Sequence, residues 1–84
     1  MNINIYGIIN AKAYELKGFL DKVGINYCDE KVDDDTRIIR IPASKLSESI
    51  MLSTTLNDHV LFCDYKTNMR VSFHVSDFER LVVI

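Results

Sequence analysis

Two clusters of turn-forming residues, each with a β-prone run on either side, constrain the fold of this chain most. The first cluster, Asp33-Asp34-Asp35-Thr36, lies between residues 25–32 and 37–43. The second, Lys66-Thr67-Asn68-Met69, lies between residues 59–65 and 70–75. Short polar turns between β-prone runs are typical of antiparallel hairpins. The sequence therefore predicts two hairpins.

Symmetric pairing about the first turn predicts which side chains of that hairpin share a face. With four unpaired turn residues, Cys28 faces Ile41 and Asp29 faces Arg40. Cys28 then lies with Ile39 on an apolar face, since alternate residues of a strand point the same way. This register predicts a buried Cys28 and a cross-strand charge pair.

Symmetric pairing about the second turn places Phe62 opposite Phe73. One face of this hairpin is predicted to be apolar: Val60, Phe62, Val71, Phe73 and Val75. The opposite face carries the remaining side chains: His59, Leu61, Cys63, Tyr65, Ser72 and His74. We expect the apolar face to contribute to the core.

The rest of the chain predicts one further strand and three helices. In residues 2–9, Ile3, Ile5 and Ile9 alternate while Ile8 lies opposite, which is typical of a strand covered on both sides. From Asn10, apolar residues recur at helical spacing until Gly24, a stop signal: Ala13, Leu16, Leu20 and Val23.

The two other helices are predicted from weaker patterns. Ser44 opens a helix that extends to about Asn57. Ser76 and Glu79 have the spacing of a capping box, which predicts a short last helix. The element order is then β-α-β-β-α-β-β-α, over one α+β domain spanning residues 1–84. We expect a two-layer sandwich, with the ferredoxin-like arrangement as the first choice.

Residues 3–35 resemble the start of a glutaredoxin. The similar residues are Ile5-Tyr6-Gly7, the helix end and strand at 19–27, and Val32-Asp33-Asp34-Asp35; residues 76–81 are similar in pattern. The resemblance implies a degenerate thioredoxin/glutaredoxin-like fold as the alternative. Glutaredoxins carry Cys-x-x-Cys after the first strand, where a low-pKa thiolate attacks disulfides. This chain has Asn10-Ala11-Lys12-Ala13 there, so both catalytic positions are empty.

Charge and hydropathy disfavour two classes of partner. The net charge of -2 gives no cationic excess for phosphate contacts, so nucleic acid is an unlikely ligand. No apolar run exceeds four residues, whereas a membrane span needs about 20. The first residues carry no basic segment typical of a signal peptide. We therefore expect a cytoplasmic protein without a membrane partner.

A cluster of five carboxylates within seven residues is the first candidate partner contact: Asp29, Glu30, Asp33, Asp34 and Asp35. The cluster is either a solvated hairpin tip or an acidic surface that contacts a basic partner. A calcium loop is disfavoured because Ile38, not glycine, holds the sixth position from Asp33.

The second candidate face combines four side chains of the later hairpin: His59, Cys63, Tyr65 and His74. Cys63 lies diagonal to His74 in the symmetric register, as in a nucleophile and base pair. No close Cys-x-x-Cys or His-x3-His spacing indicates a metal site. In a cytosol Cys28 and Cys63 are expected to stay reduced. The sequence predicts no catalytic, cofactor-binding or metal-binding residue.

These observations favour a non-enzymatic module that binds one protein. Ten isoleucines and six asparagines against three alanines indicate an AT-rich genome, such as that of a bacteriophage. The first hypothesis is therefore a phage or mobile-element accessory protein that inhibits a host or viral protein in the host cytoplasm. The alternatives are a glutaredoxin-related redox protein that uses Cys28 or Cys63, and a nucleic-acid-binding ferredoxin-like domain. The sequence does not identify the partner, and it is also compatible with a homodimer.

Overall fold

The computed structural model of the chain describes residues 2–42 and 58–84, and the backbone of residues 50–54. Seven strands and one α-helix lie in these ranges, with a 3₁₀ turn at Val75–Asp77. The elements are β1 (Asn2–Ile9), α1 (Asn10–Val23), β2 (Cys28–Lys31), β3 (Thr36–Pro42), β4 (Ile50–Thr54), β5 (His59–Asp64), β6 (Met69–His74) and β7 (Arg80–Val83). The predicted α+β class is confirmed.

The strands form two antiparallel sheets. The first has the order β2-β3-β1-β7, and the second has the order β4-β5-β6. Both β1 and β2 pair antiparallel with β3, so they run in the same direction on either side of it. Helix α1 connects these two strands along the chain. The first sheet therefore contains a β-α-β unit that is split by an inserted strand.

Helix α1 packs against strands of both sheets, namely β1, β3 and β6. The core is one cluster of buried side chains from all of these elements: Ile3, Ile5, Ile8, Ala13, Leu16, Phe19, Leu20, Ile25, Ile39, Ile41, Val60, Phe62 and Phe73. Helix α1 thus packs against both sheets and shares one core with them. Within the described residues, no helix has the length and apolar character that a membrane span requires.

The predicted first strand is confirmed in its bounds, but a bulge changes its faces. Ile8 is buried with Ile3 and Ile5, whereas Ile9 is exposed. The pairing with β3 shifts between Ile5 and Ile8, and Gly7 between them has φ +69°. An extra residue in a bulge moves the following side chains to the other face. The predicted alternation through Ile9 is therefore wrong after Ile5.

The predicted register of the first hairpin is wrong by one residue. Cys28 faces Arg40 and Asp29 faces Ile39. The loop contains three residues instead of four, because the Val32 backbone N–H donates to the Thr36 carbonyl at 3.1 Å. A shift of one residue exchanges the two faces of a strand. Cys28 is consequently exposed and not packed with the isoleucines.

The predicted register of the second hairpin is wrong by two residues. Phe62 faces Val71, and Val60 faces Phe73, because the unpaired turn occupies residues 65–68. A shift of two residues preserves the face of each side chain. Val60, Phe62 and Phe73 are accordingly buried, as predicted, while Val75 in the 3₁₀ turn is exposed.

Two predicted helices are corrected by strand pairing. Residues 50–54 of the predicted helix from Ser44 to Asn57 form β4, which pairs with β5; positions 44–49 and 55–57 lie outside the described residues. The predicted last helix is a 3₁₀ turn followed by β7, which pairs with β1. The second edge of β1 needs hydrogen-bond partners, and the apolar, mostly β-branched residues 81–84 suit a strand.

Candidate functional site

The tip of the first hairpin is organised by the Asp33 side chain. Its Oδ1 accepts hydrogen bonds from the backbone N–H of Asp35 at 2.8 Å and of Thr36 at 2.9 Å, and from Thr36 Oγ1 at 3.0 Å. The backbone hydrogen bonds and the Thr36 hydroxyl hold the pKa of Asp33 below its ordinary value. Asp33 therefore closes the turn, and this role explains the three-residue loop.

The Asp29 carboxylate lies between two cations. Lys17 Nζ of α1 is 2.9 Å from Oδ2, and Arg37 Nε of β3 is 2.7 Å from Oδ1. Burial favours the protonated acid, but the hydrogen bonds from Arg37 and Lys17 outweigh it, so the pKa of Asp29 is lowered. Asp29 thus ties the edge strand β2 to the helix and to β3.

The other acidic residues of the predicted contact differ in exposure. Glu30 Oε2 lies 2.8 Å from Arg40 Nη1, and this hydrogen bond raises the pKa of Arg40. Asp34 approaches Lys31 at 3.4 Å with a side chain that is 97% exposed. Asp35 is also exposed. The acidic charge that is free to meet a partner is therefore concentrated at Asp34 and Asp35.

The four side chains of the second candidate face lie at opposite ends of their hairpin. His59 faces His74, with ring centroids 5.1 Å apart, whereas Cys63 faces Arg70 near the other end. The predicted diagonal contact of Cys63 with His74 is wrong because of the two-residue register shift. Cys63 is buried and Tyr65 is exposed.

His74 has a structural role at the end of β6. Its ring Nδ1 accepts the Ser76 backbone N–H at 3.0 Å, while Asp77 Oδ2 accepts the His74 backbone N–H at 2.9 Å. These two bonds cap the 3₁₀ turn and direct the chain into β7. The capping replaces the predicted pairing of Ser76 with Glu79.

The two thiols differ in accessibility, and both are free. Cys28 lies at a cleft of about 190 Å³ that Tyr27, Arg40 and Pro42 also line. A redox function would therefore have to use Cys28, since the buried Cys63 is not accessible to a substrate. Across residues 2–42 and 58–84, no group of three or more His, Cys, Asp or Glu side chains is arranged to hold a metal ion.

A groove of about 540 Å³ between α1 and β6 was not predicted from the sequence. From the helix it is lined by residues between Lys12 and Lys22, and from the strand by residues 69–72. Tyr14 is 77% exposed beside it. Because β6 is the terminal strand of its sheet, one of its two edges has no neighbouring strand within the described part of the chain.

The groove is basic although the whole chain is acidic. Its lining contains three cationic side chains, Lys12, Lys22 and Arg70, and one carboxylate, Glu15. Lys12 is 3.4 Å from Glu15. Lys22 and Arg70 form no ion pair with any described residue. Two cations are therefore available to a ligand in the groove.

Sequence patterns contain one signal that points to this groove. Lys12 and Lys22 are more than 45 residues from Arg70, so only tertiary packing brings them together. Gly18 in the middle of α1 is unexpected, because glycine destabilises a helix interior by about 1 kcal/mol relative to alanine. A helical glycine on an exposed face is the feature that would have drawn attention to this surface.

With these surfaces defined, the chain was compared with protein-family models, curated proteins and solved structures, and none of the three comparisons found a match. The choice between the candidate surfaces therefore depends on geometry and charge alone. Among the described residues, the groove has two cations without an ion pair and the second edge of β6 without a neighbouring strand. Most of the acidic cluster, in contrast, is engaged within the hairpin and with α1.

The Asp29 ion pairs predict a pH-dependent stability. Since the pKa of Asp29 is lowered by folding, its contribution is present above its unfolded value of about 3.9 and is lost as pH falls below it. Asp29→Asn should therefore reduce the free energy of unfolding more at pH 7 than at pH 3. Urea unfolding at both pH values measures the difference, with exposed Asp34→Asn as the control. An equal effect of Asp29→Asn at both pH values would contradict the assignment.

Proposed function

We propose that this chain is a non-enzymatic protein-interaction module and that its partner docks in the groove between α1 and β6. The observation that carries the proposal is a pair of cations, Lys22 and Arg70, which line the groove beside the edge strand β6 and form no ion pair with the described residues. Unpaired charges around an accessible strand favour a complementary protein surface. Inhibition of a host or viral protein by a phage-encoded accessory protein belongs to the same proposal.

The groove is a better candidate contact than the acidic hairpin tip. Asp29, Glu30 and Asp33 are held by internal cations or by the turn backbone, and a partner would have to displace these bonds. Lys22 and Arg70 form no ion pair with the described residues, so a partner would displace no internal ion pair there. Encounter with an acidic partner is therefore expected to be guided by the groove, against the net negative charge of the chain.

We also propose the ferredoxin-like arrangement for the first sheet. It is supported by the position of β3 between β1 and β2, with α1 as the crossover, and by β7 on the other side of β1. These relations match the split β-α-β unit of that arrangement. In this description, the second sheet occupies the chain segment where a ferredoxin-like domain has its second helix.

Charge reversal in the groove tests the proposed function. The double variant Lys22→Glu, Arg70→Glu should retain at most about a tenth of the partner captured by the wild-type chain, since about 1.4 kcal/mol corresponds to a factor of ten. Both side chains are peripheral to the core, so circular dichroism should show an unchanged fold. Quantitative mass spectrometry of the captured proteins provides the measurement.

The control for charge reversal changes the acidic tip instead. The variant Asp34→Asn, Asp35→Asn should capture the partner as well as wild type does. If capture is lost with this variant and retained with the groove variant, the hairpin tip is the docking surface and the proposal is wrong.

A further inference from the structure

We infer that the occupant of the groove is an extended acidic segment of the partner, which adds as a strand to the edge of β6 that no described strand pairs with. This inference rests on the proposed function and specifies the chemistry of the partner. It is supported by three separate features of the groove: the backbone that lines it, the glycine in α1 beside it, and its charge.

The lining of the groove by β6 indicates access to the strand backbone. Residues 69–72 are consecutive, and all four line the groove. Successive side chains of a strand point to opposite faces, so four consecutive residues line one groove only where it follows the edge of the strand. The backbone N–H and C=O groups at that edge can then pair with an extended peptide.

Gly18 provides room for a second backbone next to α1. A Cβ atom built at Gly18 would have no heavy atom of the described structure within 4 Å. Gly24, by contrast, has φ +77°, a conformation that favours glycine. Gly18 has a helical conformation and no internal packing that excludes a side chain. The close approach of another chain would explain why a glycine, which has no side chain, occupies this position in the helix.

Two cations and one exposed aromatic ring determine which side chains the bound segment should carry. Lys22 and Arg70 favour carboxylates in the segment. The ring of Tyr14, exposed beside the groove, offers apolar area for side chains that alternate with those carboxylates. An extended segment in which acidic and β-branched residues alternate satisfies both requirements.

A peptide titration tests this inference directly. The probe is an eight-residue peptide of alternating glutamate and valine, added to the ¹⁵N-labelled chain while amide chemical shifts are recorded. Shifts should concentrate at residues 69–72 and at Gly18. The same peptide with all backbone amides N-methylated should bind at least tenfold more weakly, because the methyl groups remove every N–H donor that could pair with β6. A lysine-valine peptide should not bind. Equal binding of the methylated peptide, or no binding of the glutamate peptide, would overturn the inference.

Gly18→Ala separates binding from stability. Alanine favours the helix, so the melting temperature should rise by about 4 °C, while the added methyl group should weaken peptide binding at least fivefold. Unchanged affinity in this variant would also overturn the inference. If partner capture depends on Lys22 and Arg70 but the peptides do not bind, only the extended segment is wrong. If capture does not depend on these cations, the proposed function itself fails.

Discussion

Phe62→Ala is expected to lower the free energy of unfolding by about 3 to 5 kcal/mol, the effect of truncating a fully buried aromatic side chain. Phe62 is one of the core side chains through which the second sheet packs against the helix. Its ring centroid lies 6.1 Å from that of Phe73 and 6.4 Å from that of Phe19 in α1. Truncation would remove both ring contacts and leave a cavity between β5 and α1.

Urea unfolding of wild type and variant measures this loss. Tyr14→Ala is the matched control, because it truncates an aromatic side chain that is 77% exposed. The control should change the free energy of unfolding by less than about 1 kcal/mol. A similarly small effect for Phe62→Ala would show that the second sheet does not share its core with α1.

Gly7→Ala is the second substitution with a large expected effect, a loss of about 3 kcal/mol. Gly7 has φ +69°, and left-handed backbone costs a residue with a Cβ roughly 1 to 2 kcal/mol. The new Cβ would also lie 2.8 Å from the Glu79 Cβ, and relief of such a contact costs about 1 to 3 kcal/mol more. Both costs arise at the bulge that places Ile8 in the core.

Gly24→Ala is the control for the Gly7 bulge. Gly24 has φ +77° but nothing within 4 Å of its built Cβ in the described structure, so only the conformational cost of about 1 to 2 kcal/mol applies. Chemical unfolding should therefore rank Gly7→Ala as the more destabilising change. Equal losses would show that Glu79 does not lie against Gly7 at the bulge.

Local patterns were sufficient for the elements with strong periodicity. The bounds of β1 and α1 follow from alternating isoleucines, helical spacing and the stop at Gly24. Register was not predictable from the same patterns, because it depends on single side-chain hydrogen bonds. Asp33 shortens the first loop, and Asp64 accepts the Lys66 backbone N–H at 3.0 Å at the start of the second turn. Loop length then sets every cross-strand pair.

Where the sequence pattern was weak, pairing with distant strands determined the secondary structure. The Ser76 and Glu79 spacing suits a helix, yet β1 has a second edge whose backbone groups pair with β7. Similarly, residues 50–54 pair with β5. Strand formation in both segments depends on partners that are distant in sequence, so local propensity could not predict it.

The candidate surfaces also differ in how far the sequence alone could predict them. The acidic cluster lies within seven residues, so the sequence alone was enough to propose all five carboxylates as one surface. Their engagement with Lys17, Arg37 and Arg40 depends on packing. The groove depends on packing entirely, since it exists only where α1 meets β6. Gly18 was the one sequence feature that pointed to the groove. A glycine within a helix indicates a binding surface only when the neighbouring residues are known from the structure.

The position of the bound partner is the most direct test of the central claim. An aromatic photo-crosslinking amino acid would replace Tyr14 in the groove in one variant and Asp34 at the hairpin tip in another. Illumination of each complex should give a covalent product with the partner from position 14 and little or none from position 34. A product from position 34 alone would place the partner on the acidic tip and contradict the assignment of the groove.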